Sequence, residues 1–347
     1  MKKLFCFMLI FMMTLQLTGQ TPTGAEKPPV IHKSWVTTVC FDAQGNRAAS
    51  GALDSTIIIW DVSSGKALKK IIMDGTYPNQ ICFTPDGTSI LAAQRRGSAA
   101  LYDIESGKLV RQFAGHDPTI SVYDITISPD GKYIATGSQD HTAKLFDLHS
   151  GELICTYSGH TNTVFSVSFS HDGKYLITGS ADKSVRVWDL LSGAPVKVLA
   201  VLNQPVTVAR CHPQGGSVLV ATMGLTMGLG CELKLFGMDS GNLIHAYSGH
   251  FCEIRKAYFS EDGKYLAICG NSSHFSLWDS RNSDRLRYFK GHPSPEKPGI
   301  FILTSGGKTI DISISPDNRF IISGGDDETV RLWDLDMGEL VRVFGQE

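Results

Sequence analysis

The residues most suggestive of chemistry are His160, Thr178, Asp182 and Trp188. An aspartate, an imidazole and a hydroxyl are the parts of a nucleophile–base relay, in which the carboxylate orients the ring and the ring takes the hydroxyl proton. The same types admit a second arrangement. The Asp accepts from the His ring, the ring meets the hydroxyl, and the hydroxyl meets the indole N–H, so that buried polar groups satisfy one another. Recurrence decides between the two. His32, Ser50, Asp54 and Trp60 repeat the set, and Ser323, Asp327 and Trp333 repeat it with His292 upstream. His116, Thr136 and Asp140 repeat it with Phe146, which has no proton to donate, in place of the Trp. A relay has no use for an indole, and no Gly-x-Ser-x-Gly nucleophile turn is present. The sets are read as structural, and no catalytic residue is assigned.

The elements that must hold such a set can be read from residues 159–199. Val164–Ser170 alternates apolar and small polar residues, as a half-buried strand does. Asp172-Gly173 is a hairpin signal, because both residues tolerate positive φ. Tyr175–Gly179, Ser184–Asp189 and Val196–Leu199 read as three further strands, separated by turns at Ala181-Asp182-Lys183 and Leu191-Ser192-Gly193. Four short strands in about forty residues bury too little alone, so the unit needs neighbours. It has them. The third-strand pairs Trp60-Asp61, Tyr102-Asp103, Phe146-Asp147, Trp188-Asp189, Phe236-Gly237, Trp278-Asp279 and Trp333-Asp334 follow one another at 42, 44, 42, 48, 42 and 55 residues.

Seven phased units with Gly-His before and Trp-Asp after resemble the WD-repeat family across about residues 30–347. The resemblance implies an all-β fold: a seven-bladed β-propeller of four-stranded antiparallel blades. It also implies that the His, Ser/Thr, Asp and Trp positions form the family's buried tetrad. The second unit departs, with Ala92 and Arg96 at the hydroxyl and Asp positions. The sixth has Ile268 and Ser272 there, and the fifth lacks the His. In the family's commonest arrangement the N-terminal segment supplies the last blade's outer strand. Here Glu339–Phe344 already fits that strand, which leaves two routes open: closure by packing between the first and last blades, or residues 26–34 added to an edge.

Composition, at 42% hydrophobic and 19% charged, suits a soluble globular chain. Residues 1–20 differ. Lys2-Lys3, an apolar run Leu4–Met13 and small residues Thr18-Gly19 are laid out as a secretory signal peptide. A retained anchor is the rival, but the run is shorter than the roughly 20 residues that span a bilayer. Residues 21–30 read as a Pro/Gly/Thr-rich linker and 31–347 as the propeller. The expected location is therefore exported, periplasmic or secreted, with no membrane span after cleavage. Losing Lys2 and Lys3 takes the formal charge from −2 to −4, which argues against a nucleic-acid partner. Seven cysteines remain after Cys6 is removed, without metal-ligand spacing, and read mostly as packed thiols; a Cys252–Cys269 bridge is the pairing considered. No metal or cofactor is expected.

In WD-repeat proteins partners usually meet the face bearing the loop before the first strand and the second turn. The matching offsets here give Trp35, Tyr77, Arg95, Tyr123, Phe165, Glu253, Arg255 and Asp326. Aromatics and Arg are the types enriched at interface hot spots. The reading is a non-catalytic exported scaffold that binds a protein through this aromatic rim. The alternative is an exported propeller enzyme or a small-ligand or carbohydrate binder with its site at the channel mouth. Two insertions, Thr222–Cys231 and Pro293–Lys308, mark loops where function can differ.

Overall fold

The computed structural model describes residues 30–96, 98–224, 230–249, 253–293 and 307–346. Among them, regular structure consists of twenty-eight strands, β1 to β28 in chain order, and no helix. They form seven sheets of four consecutive antiparallel strands each, arranged as the blades of a ring. The leader, most of the 293–308 insertion with its apolar Ile300–Leu303, part of the 222–231 insertion, His250 and Cys252 lie outside the described residues.

The fourth blade shows why the sequence folds this way. It runs β13 (Val164–Phe169), β14 (Tyr175–Ser180), β15 (Ser184–Asp189) and β16 (Pro195–Val201), within one or two residues of the strands expected. Gly173 sits at φ +67° in the first turn. The third turn is closed by Asp189, whose carboxylate accepts the Ser192 N–H at 3.0 Å and the Ser192 hydroxyl at 2.6 Å. The Asp of the Trp-Asp pair is thus a turn residue of the Asx kind. At the second turn Lys183 takes φ +73° without being glycine. Asp182 holds it there by accepting the Ser184 N–H at 2.9 Å.

The first strands of the blades line the axis: β1 (Val36–Phe41), β5 (Pro78–Phe83), β9 (Val122–Ile127), β13, β17 (Val206–Cys211), β21 (Ile254–Phe259) and β25 (Thr309–Ile314). Each packs on the next, and β25 packs on β1. The apolar core is divided accordingly into clusters between neighbouring sheets, such as Ala135, Tyr157, Val164, Leu176 and Trp188 between the third and fourth. No blade owns its core, so stability comes from nearest-neighbour interfaces around the ring.

Of the two routes open in the sequence, the described residues show packing between the first and last blades. Among the described residues, β28 (Leu340–Val343) is the outer strand of the seventh sheet and pairs only within it, with β27 (Val330–Asp334). Residues 30–34 join no sheet. Val36, Val39, Ile58 and Trp60 of the first blade pack against Ile322, Val330, Leu332 and Phe344 of the last. Two polar contacts reinforce them. The Val39 N–H donates to Asp311 Oδ2 at 3.0 Å, and the Gly345 N–H to the Gly65 carbonyl at 3.1 Å. Gly324 lets the two faces approach, since a Cβ there would lie 2.5 Å from Val36 Cγ1.

Candidate partner-binding site

The His-containing sets come together as buried chains. In the fourth blade the Trp188 indole N–H donates to Thr178 Oγ1 at 2.8 Å. Thr178 Oγ1 lies 2.7 Å from His160 Nε2, and His160 Nδ1 lies 2.8 Å from Asp182 Oδ2. These partners fix the proton order: the Thr hydroxyl donates to Nε2, and the neutral ring donates from Nδ1 to the carboxylate. Burial holds the His160 imidazole below its usual range, against the pull of Asp182. Burial pushes the Asp182 carboxyl up, but hydrogen bonds from Ser184 and His160 outweigh it and bring it to about 2.

His32, Ser50 and Trp60 repeat this chain at 2.7 Å per link, with Asp54 at 3.4 Å from the ring and Thr56 at 3.0 Å. His292, Ser323, Asp327 and Trp333 repeat it at 2.7 to 2.9 Å. In the third blade His116 meets Asp140 at 2.6 Å and Thr136 at 2.8 Å, and the chain stops at Phe146. Ser50, Thr136, Thr178 and Ser323 are all fully buried. Their hydroxyls face ring partners inside the sheet, where no substrate reaches them. The sixth blade compensates differently: Trp278 donates to Ser276 Oγ, on its own strand, at 2.8 Å.

The rim positions also come together. Trp35, Tyr77, Arg95, Tyr123, Phe165, Glu253 and Arg255, from five blades, line one cavity of about 430 Å³ at the axial mouth. Tyr123 and Phe165 meet edge to face at 5.0 Å, and the Arg95 guanidinium lies over the Tyr77 ring at 5.7 Å. Trp35 stands 47% exposed. Arg255 pairs with Glu253 at 3.4 Å, and Glu253 also accepts from Asn271 Nδ2 at 2.9 Å. Asp326 is the exception and lies outside this lining. Its carboxylate accepts the Lys308 N–H at 2.7 Å, and its own N–H donates to the Lys308 carbonyl at 3.1 Å. Its backbone holds the same place as Arg95, whose N–H donates to the Tyr77 carbonyl at 3.0 Å, so the offset is kept and the carboxylate turns back on Lys308 rather than into the mouth.

Sequence offsets missed the polar residues of the axial strands. The third residues of these strands are Thr38, Gln80, Asp124, Ser166, Val208, Lys256 and Asp311; Val208 packs in the apolar cluster between the fifth and sixth blades, and Lys256 lines the mouth. Lys256 Nζ reaches across to Gln80 Oε1, and Arg210 pairs with Asp124 at 2.9 Å. Asp311 is fully buried; burial raises its carboxyl while Lys256 draws it back. Thr38, Asp124, Ser166 and Asp311 each accept a backbone N–H from the next blade, as Asp124 does from Val167 at 2.9 Å. The available signal was a polar residue recurring at the third position of the first strand in six of the seven units. Among the described residues no three His, Cys, Asp or Glu side chains gather as a metal site. No disulfide joins the described cysteines, and Cys269 is a thiol.

Ring, blade sheets and buried His–hydroxyl–indole chains define a seven-bladed propeller that presents one aromatic mouth. The chain belongs to the WD domain, G-beta repeat (WD40) family, which matches residues 30–61, 107–147, 151–189, 241–279 and 285–334. The two long gaps in that match cover the second and fifth units, where the His chain is lost. Similar curated proteins are eukaryotic. WD repeat-containing protein 82 of Drosophila melanogaster is 34% identical over 93 residues, 27% of this chain and 26% of that protein. Nuclear distribution protein PAC1 of Arthroderma otae is 27% identical over 160 residues, 34% and 35% of the two chains. Eukaryotic translation initiation factor 3 subunit I of Aspergillus niger is 27% identical over 97 residues, 28% and 25%. The matches thus span about a quarter to a third of each relative.

Proposed function

We propose that this propeller is a non-catalytic scaffold, exported from a bacterium-like cell, that captures a protein partner through its aromatic mouth. The observation that carries the reading is the convergence of Trp35, Tyr77, Arg95, Tyr123 and Phe165 on one cavity of about 430 Å³. Such a cavity takes one or two side chains of a partner, not a large substrate. Rigid aromatics around it bury area at little entropic cost, as interface anchors do. The burial of every hydroxyl in the four His sets supports the non-catalytic part. So does the name of one relative, a subunit of a larger factor. Export rests on the leader at 1–20 alone.

The test is capture of a partner by the mature protein from its own periplasm or medium, followed by Trp35, Tyr123 and Phe165 changed together to Ala. Capture should be lost while the melting temperature holds. Retained capture by the triple variant refutes the mouth as the site. Recovery of the protein in the cytoplasm with residues 1–20 intact refutes export.

A further inference from the structure

The second blade keeps its four strands, β5, β6 (Ser89–Gln94), β7 (Ala99–Asp103) and β8 (Leu109–Phe113), yet all four tetrad positions are replaced. Asp74 stands for the His, Ala92 for the hydroxyl, Arg96 for the Asp and Tyr102 for the Trp. Met73 takes the place of the glycine before the His and is buried in one cluster with Ala92, Ala100 and Tyr102. Outside that cluster the blade is left open. A cavity of about 720 Å³ is lined by Asp74, Arg96 and Tyr102, joined by Gln94 and Lys108. The other degenerate blades are filled instead. Val220 in the fifth and Ile268 in the sixth occupy the hydroxyl position, 1% and 4% exposed.

The groups facing this cavity are those of a binding site rather than of packing. Gln94 and Tyr102 form its buried floor, each 5% exposed, with Gln94 Nε2 donating to the phenol oxygen at 3.2 Å. Asp74, Arg96 and Lys108 stand exposed around it, and none makes an ion pair with another described residue. Two cations and one anion at a single opening complement a ligand that carries both signs. Arg and Lys receive a carboxylate with charge-assisted hydrogen bonds, and the Asp receives an ammonium. Ile72 and Leu109, 69% and 48% exposed, give the same opening an apolar edge. This cavity shares no lining residue with the axial mouth.

We propose that the second-blade cavity binds a short free peptide of two or three residues. Its C-terminal carboxylate lies on Arg96 and Lys108, its amino group on Asp74, and its amide groups against Gln94 and Tyr102. Calorimetric titration of the mature chain with Ala-Leu-Ala, and with its N-acetyl and C-amide forms, tests this. Saturable binding of the free peptide is expected, weakened about tenfold or more by either cap. Arg96→Gln together with Lys108→Gln should remove the distinction between free acid and amide, and Asp74→Asn that between free and acetylated amine. All three residues are exposed, and an unchanged near-ultraviolet spectrum confirms the fold of each variant. Absence of saturable binding to the wild-type chain, or equal binding of free and capped peptides, overturns the proposal.

Discussion

Replacing Asp182 by Ala tests the buried chains most directly. The carboxylate accepts from His160 Nδ1 at 2.8 Å, Ser184 Oγ at 2.7 Å, the Ser184 N–H at 2.9 Å and the Thr161 N–H at 3.1 Å. The two N–H groups sit near the surface and can turn to water. The imidazole cannot, since its side chain is 1% exposed. Stranding one buried donor costs about 1–3 kcal/mol. Ser184 Oγ lies 3.3 Å from Nδ1 and can accept in the carboxylate's place, which holds the loss near the middle of that range, at about 2 kcal/mol. Urea unfolding followed by Trp fluorescence measures it. The decisive version is a double-mutant cycle with His160→Leu, which removes the donor itself. Asp182→Ala should then cost little more. If Asp182→Ala is within about 0.5 kcal/mol of wild type, or costs the same with and without His160, the carboxylate does not work through the ring and the chain is not what holds the blade.

Three further outcomes follow from the same contacts. His160 and His292 are held neutral chiefly by burial, so the unfolded chain binds protons first: stability should fall as pH drops below 6.5. Asp140, Asp182 and Asp327, lowered to about 2, should cause a second fall between pH 3.8 and 2, whereas the raised Asp311 and Asp326 add stability above pH 3.8, as pH falls towards that value; a melting temperature at pH 5 equal to that at pH 7.5 contradicts the first step. Arg210→Met leaves the buried Asp124 carboxylate uncompensated and should cost about 3–5 kcal/mol, most of it recovered by adding Asp124→Asn; a single variant within about 1 kcal/mol of wild type in urea denies the pair its role. Gly324→Ala drives a methyl into Val36 and should cost about 1–3 kcal/mol, eased by Val36→Ala; equal stability of the two variants would show the first and last blades less tightly apposed.

The blade was legible because its signals are local and repeated. Alternation in Val164–Phe169, Gly173 at a positive φ and Asp189 in an Asx turn each act within a few residues, so one well-patterned unit sufficed to phase the rest. The His chains were legible for the same reason: His160 and Asp182 both sit at fixed distances from a turn. Rim residues followed by offset except Asp326, which keeps its register but spends its carboxylate on the Lys308 N–H. The axial network was not legible, because Gln80 and Lys256, or Asp124 and Arg210, meet across several blades and nothing near either partner announces the other. Nor was Ser276, which serves Trp278 from a position no intact unit uses. The second-blade cavity needed volumes: the sequence shows Ala92 and Arg96 as losses, while only the packing of Met73 shows that the lost group left an opening.

Because β25, β26 (Phe320–Gly325), β27 and β28 form the seventh sheet with no strand from the described part of the N-terminal segment, every sheet among the described residues is a contiguous stretch of chain. Where a ring is latched by a borrowed strand, cutting elsewhere splits a blade; this ring can be opened at any linker between blades and leave seven whole sheets. A circular permutant beginning at Asn162 and ending at Thr161 should therefore assemble as the natural order does, given a joint long enough to connect the old termini. The order in which the blades are strung is then free to rotate around the ring without changing which blades are neighbours.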